Sequence, residues 1–106
     1  MKKEQWYSYS QNNSGGYFVQ DEYQGPLVFI QAASAKDAWS QAQEMFDFSY
    51  CDCCGARWYE RFEGTDEPMV YGTPLADAPK SYLRDYVILH HIDGRVERVE
   101  LKERAN

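Results

Sequence analysis

No stretch of the sequence reaches the roughly 18 consecutive apolar residues that a membrane-spanning helix requires. The start, Met1 to Trp6, carries two lysines with no apolar segment behind them, so it does not read as a secretory signal. Basic residues are scarce: 11 Lys and Arg stand against 17 Asp and Glu, a net charge of −6. That balance argues against binding along a nucleic-acid backbone, which relies on Lys and Arg to displace counterions. It argues equally against adsorption to anionic membranes. Cysteine is limited to three residues, an odd count that fits a reducing compartment better than a secreted disulfide framework. A cytoplasmic protein is expected. The sequence also lacks a Walker lysine, a dinucleotide fingerprint, a paired-carboxylate site and a Ser-His-Asp set. The expectation is a protein without enzymatic activity. No internal repeat, low-complexity tract or linker divides the chain.

What is present fits one domain spanning 1–106, because a second core would need more chain. Aromatics are abundant at 16%, with nine Tyr, five Phe and three Trp. Tyrosine joins an apolar ring to a polar tip, which suits half-buried positions and binding surfaces. The acidic groups are spread along the chain, which serves solubility. A sharper alternative is a mimic of nucleic acid that occupies a basic groove on another protein.

Gln5–Gln11 alternates, with Trp6, Ser8 and Ser10 on one strand face and Tyr7 and Tyr9 on the other. Asn12-Asn13-Ser14-Gly15-Gly16 offers turn residues throughout, and Tyr17-Phe18-Val19 is expected to pair back onto the first strand. After a turn at Tyr23 to Pro26, Leu27-Val28-Phe29-Ile30 is a continuous apolar run, the pattern of a strand covered on both faces. Ser34 is a helix N-cap with Asp37 three residues on. Ala35, Ala38, Trp39, Ala42, Met45 and Phe46 then form one apolar stripe at helical spacing, predicting a helix over Ser34–Asp47. Arg57 to Phe62 alternates again, with Trp58 and Phe62 toward the core and Arg57, Tyr59 and Arg61 outward. Met69-Val70-Tyr71 reads as extended, and 72–79 as irregular. Asp93-Gly94 predicts a two-residue hairpin turn that sets Ile92 against Arg95, His90 against Glu97 and Tyr86 against Leu101. That register puts Tyr86, Ile88, Ile92, Val99 and Leu101 on the core face. The fold class is therefore α+β: a mainly antiparallel sheet of about five or six strands with one amphipathic helix across one face.

Cys51-Asp52-Cys53-Cys54-Gly55 joins the helix to the Arg57 strand and holds all the cysteines. Cys51-x-x-Cys54-Gly matches one zinc knuckle, in which two thiolates grip a metal and glycine lets backbone amides turn toward sulfur. One knuckle is half a tetrahedral site. The remaining ligands must come from Cys53, His90, His91, a carboxylate or a second chain, and at most one of His90 and His91 can join, since neighbours on a strand face opposite ways. The plainer reading is a structural corner of small apolar side chains. A redox role is disfavoured, because the motif follows a helix C-terminus and Asp52 adds negative charge, both opposing a thiolate. Arg57, Tyr59 and Arg61, with Asn12 and Asn13, could contact an anionic ligand by charge and stacking.

The loop Asn12-Asn13-Ser14-Gly15-Gly16, the run Ala33-Ser34-Ala35-x-x-Ala38, the motif Cys51-Asp52-Cys53-Cys54-Gly55-x-Arg57-Trp58 and the run Glu67-Pro68-x-x-Tyr71-Gly72 resemble a family of small uncharacterised proteins of tailed bacteriophages. The likeness spans about Trp6 to Gly72, and the cysteine motif is its specific part. The resemblance implies a setting, an infected bacterial cytoplasm, where small acidic phage proteins inhibit host or defence proteins or sequester nucleotide signals. Three functional expectations follow. The first is a non-enzymatic inhibitor that binds a host or defence protein. The second is a structural zinc domain using Cys51, Cys53, Cys54 and His90. The third is a nucleotide sponge, as a homodimer, using the Asn12 loop and the Arg57–Arg61 face.

Overall fold

The computed structural model describes residues 4–11, 19–46, 50–51, 55–56, 58–60, 64–70, 73–77 and 86–101. At its centre is a five-stranded sheet built from β1 (Gln5–Gln11), β2 (Leu27–Ala32), β5 (Trp58–Glu60), β8 (Tyr86–His90) and β9 (Val96–Glu100) in the order β5-β1-β2-β8-β9. Three of its pairings are antiparallel, and β2 runs parallel to β8. Two small ladders stand apart: β3 (Tyr50–Cys51) with β4 (Gly55–Ala56), and β6 (Met69–Val70) with β7 (Thr73–Pro74). Helix α1 (Ala35–Met45) lies on one sheet face. The architecture is the expected mainly antiparallel α+β fold. No helix among the described residues is long and apolar enough to cross a membrane.

The helix forms where its caps and stripe place it. Ser34 is extended (φ −156°, ψ 163°), and its Oγ accepts a hydrogen bond from the Asp37 N–H at 3.1 Å, satisfying one donor of the first turn. At the other end Phe46 turns extended (ψ 150°) while its N–H still donates to the Ala42 carbonyl. Ala38 and Ala42 are fully buried, so the helix axis can approach the sheet closely, and Trp39 and Phe46 fill the space beside it.

Residue alternation in the strands sorts the core into two layers. Tyr7, Tyr9, Val28, Ile30, Ala32, Tyr86 and Ile88 face the helix. Trp6, Leu27, Phe29, Val87 and Leu89 face the other way, under Val70, Leu75 and Leu101. The apolar run of β2 is buried on both faces, as its unbroken pattern predicted. Fully burying one such side chain contributes about 1.5–3 kcal/mol.

The last hairpin departs from the predicted register by one residue. His90 pairs with Val96, Leu89 with Glu97, Ile88 with Arg98 and Tyr86 with Glu100. The cause is the turn. Gly94 takes a left-handed φ of 94°, its N–H donates to the His91 carbonyl, and the His91 N–H donates to the Arg95 carbonyl. This is a three-residue loop with a left-handed glycine, which lengthens the connection beyond the two-residue Asp-Gly turn. A one-residue slip exchanges faces. Val99 and Leu101 therefore pack with Val87 on the face away from the helix, and Ile92 is 46% exposed instead of sitting in the core.

Tyr9 and Ser10 of β1 are flanked by β2 on one side and β5 on the other, and Gln11 pairs with Trp58 while its N–H donates to the Pro26 carbonyl. The expected pairing of Tyr17-Phe18-Val19 with β1 falls mostly outside the described residues. Val19 itself is held by the Gln11 side chain rather than by a ladder. Asp47 and Phe62 also lie outside the described residues.

Candidate functional site

The residues that flank the cysteine motif pair with one another. Tyr50 pairs with Ala56 and Cys51 with Gly55 in a short antiparallel ladder. Cys53, Cys54, Arg57, Arg61, Asn12 and Asn13 are outside the described residues, and their side chains enter no geometry here. Among the described residues no group of three His, Cys, Asp or Glu side chains is placed to hold a metal ion. Tyr59 sits on the edge strand β5, opposite Ser10, and is 58% exposed. Its neighbour Trp58 points inward and stacks on Phe46 with ring centres 4.3 Å apart.

His90 and His91 diverge as strand alternation requires. His90 is 4% exposed on the helix face, near the Phe46 ring (6.4 Å) and stacked under Tyr23 (6.2 Å). Its Nε2–H donates to the Tyr23 carbonyl at 2.9 Å, which assigns the proton to that nitrogen because a carbonyl can only accept. Burial holds the imidazole below its ordinary range. The Tyr23 carbonyl and the Asp21 carboxylate push the other way, and His91 adds to the lowering. The expected pairing of His90 with Glu97 is made by His91 instead: its Nε2 donates to Glu97 Oε1 at 3.0 Å, and its Nδ1 meets Arg95 Nη2 at 3.2 Å. The register shift moved the acid one position along the partner strand. His91 also meets the edge of Trp6, with ring centres 5.2 Å apart.

The carbonyl above His90 belongs to a turn that begins at Asp21, two residues ahead of the Tyr23 to Pro26 turn expected from the sequence. Asp21 Oδ1 accepts from the Tyr23 and Gln24 N–H groups, and Oδ2 accepts from Gln24 Nε2 at 2.7 Å. Gln11 fixes the segment from below. Its buried amide donates to the Val19 and Gly25 carbonyls at 3.0 and 2.9 Å and accepts from the Val19 N–H. Gly25 lies so close to Tyr86 that a Cβ there would meet the ring at 2.8 Å. Tyr86 in turn donates its hydroxyl proton to Gln20 Oε1. The turn is thus pinned to the sheet by Gln11, Tyr86 and His90, with Tyr23 left 40% exposed at its tip.

Between this turn and the β8–β9 hairpin is an open cleft of about 600 Å³, lined by Asp21, Glu22, Tyr23, Ile88, Val96 and Arg98. Residues 4–105 match the model of a domain of unknown function, DUF7296. The chain belongs to the DUF7296 family. No curated protein and no solved structure matches it.

In this DUF7296 domain His90 stands directly behind the cleft, stacked on the Tyr23 ring that lines it. Tyr59 is on the β5 edge of the sheet, whereas the cleft is at the β9 edge. Sequence reasoning missed the cleft because its walls come from residues 21–23, 88 and 96–98, and no local pattern links them. The faint signal was the Asp21-x-x-Gln24 spacing, which lets an Asp side chain cap its own turn.

Proposed function

We propose that the protein is a non-enzymatic binding protein of bacteriophage type that inhibits a host or defence protein in the bacterial cytoplasm. One observation carries the reading. Of the large apolar side chains exposed by more than a third, Tyr23, Ile92 and Val96 belong to the turn and hairpin around one cleft, and acidic groups border them. Apolar anchors inside a charged border are the composition of a protein-binding patch. The net charge of −6 suits a basic target surface and speeds encounter with it. The phage resemblance supplies the setting.

The test is inhibition with a defined partner. A host or defence protein that loses activity at equimolar protein, and regains it when Val96→Asp is used, supports the reading. Purified protein that turns over a nucleotide or peptide, with one substitution abolishing turnover, overturns it.

A second reading, structural zinc, draws on the Cys51-x-x-Cys54-Gly spacing of the sequence and on the pairing of Cys51 with Gly55 at its two ends. Metal analysis of protein purified without added zinc decides it. A stoichiometry near zero, with melting unchanged by chelator, removes it.

A further inference from the structure

The cleft is asymmetric in charge. On one lip Asp21 is held rigidly by hydrogen bonds from the Tyr23 and Gln24 amides and the Gln24 side chain, all neutral donors, so its negative charge stays uncompensated. Beside it Glu22 is exposed and has no hydrogen-bond or ion-pair partner among the described residues. On the other lip Arg98 is engaged with its own strand and the sheet. Its Nε donates to Glu100 at 2.8 Å, and its guanidinium carbon lies 3.8 Å over the Tyr86 ring. Between the lips the apolar lining comes from Ile88, Val96, which is 40% exposed, and the Tyr23 ring. One face of that ring stacks on His90, and the ring is still 40% exposed.

We propose that this cleft receives an arginine side chain of a partner protein. The proposal rests on the reading that the protein acts by binding another protein. Each part of the cleft answers one part of that side chain. The methylene stem covers Val96 and Ile88, as long cationic side chains do on apolar surface. The flat guanidinium stacks on tyrosine and donates in a fork to a carboxylate, here Glu22 with Asp21 behind it. Lysine carries the charge without the flat stacking surface.

The experiment is an amide NMR titration of the full chain with a capped tripeptide carrying arginine between two alanines, and with its neutral citrulline twin. Arginine is expected to shift the signals of Glu22, Tyr23 and Val96 in a saturable way, and citrulline to leave them in place. Glu22→Gln, an exposed change that keeps the fold, is expected to weaken binding about fivefold to tenfold. Glu97→Gln, which removes an acid from the opposite sheet face, leaves affinity unchanged. Equal shifts with citrulline, shifts spread over the surface, or undiminished affinity in Glu22→Gln overturn the assignment. A protein partner that binds Glu22→Gln as tightly as the native chain overturns the cleft assignment while the binding function stands.

Discussion

The two faces of the sheet are both buried, but by different kinds of cover. On one face a capped helix presents Ala38, Ala42 and Phe46 to Tyr7, Tyr9, Val28 and Ile30. On the other, Trp6, Phe29, Val87 and Leu89 are covered by Val70, Leu75 and Leu101, which come from short or irregular segments. A helix brings its own backbone hydrogen bonds, so it covers apolar surface without stranding polar groups. The irregular cover must find partners on the sheet, as Thr65 does through its reciprocal backbone bonds with Trp6 at 2.8 and 3.1 Å. The neighbouring histidines mark the divide, with His90 buried beneath Tyr23 and His91 beside Trp6 and Glu97.

The largest effect that would break this contrast is at the aromatic cluster under the helix. Phe46 stacks on Trp58 and meets Tyr9 edge-on at 5.6 Å. Phe46→Ala is expected to cost about 3–5 kcal/mol in denaturant titration. A loss below about 1 kcal/mol would show that the helix face does not depend on that cluster. On the opposite face Leu75 is only half-buried, and Leu75→Ala is expected to cost about 1–2 kcal/mol, less than a fully buried leucine. Equal losses at the two positions would erase the difference between the covers.

Ser34→Ala removes the N-cap acceptor and is expected to cost about 1 kcal/mol, read as a lowered melting temperature and reduced helical signal. A smaller effect comes from His90. Its folded-state pKa lies below the ordinary value of 6.5, chiefly through burial. The unfolded chain therefore binds more protons as pH falls through that value toward the folded one. Stability rises with pH across this window and levels off above it. Denaturation midpoints should drop as pH falls through 6.5, and His90→Gln should flatten that dependence. An unchanged slope in His90→Gln would place the titration elsewhere. The smallest effect is expected from Glu97→Gln. Its contact with His91 is at the surface, and the loss should stay below about 0.5 kcal/mol in the same titration.

Reading these positions from sequence worked where the signal was local and periodic. Ser34 capped the helix, its stripe faced the sheet, and β2 was buried on both sides. Trp58 pointed inward and Tyr59 outward as alternation required. It failed at the last hairpin, where Asp93-Gly94 allows both a two-residue and a three-residue loop. The choice moved Val99 and Leu101 to the other face and exchanged His90 for His91 as the partner of Glu97. The cleft was less legible still. Gln11, Asp21, Tyr23 and Val96 are ordinary strand or turn residues until Gln11 gathers Val19 and Gly25 beneath the turn.

By itself the sequence determined the α+β class, the helix with its caps, the burial of β2 on both faces and the acidic charge. These follow from residue spacing and composition, which act over one or two turns of chain. Only the tertiary structure decided the strand order β5-β1-β2-β8-β9, the hairpin register and the cleft between the Asp21 turn and β9. Those depend on contacts between residues as far apart as Tyr23 and His90, whose energies no local pattern encodes.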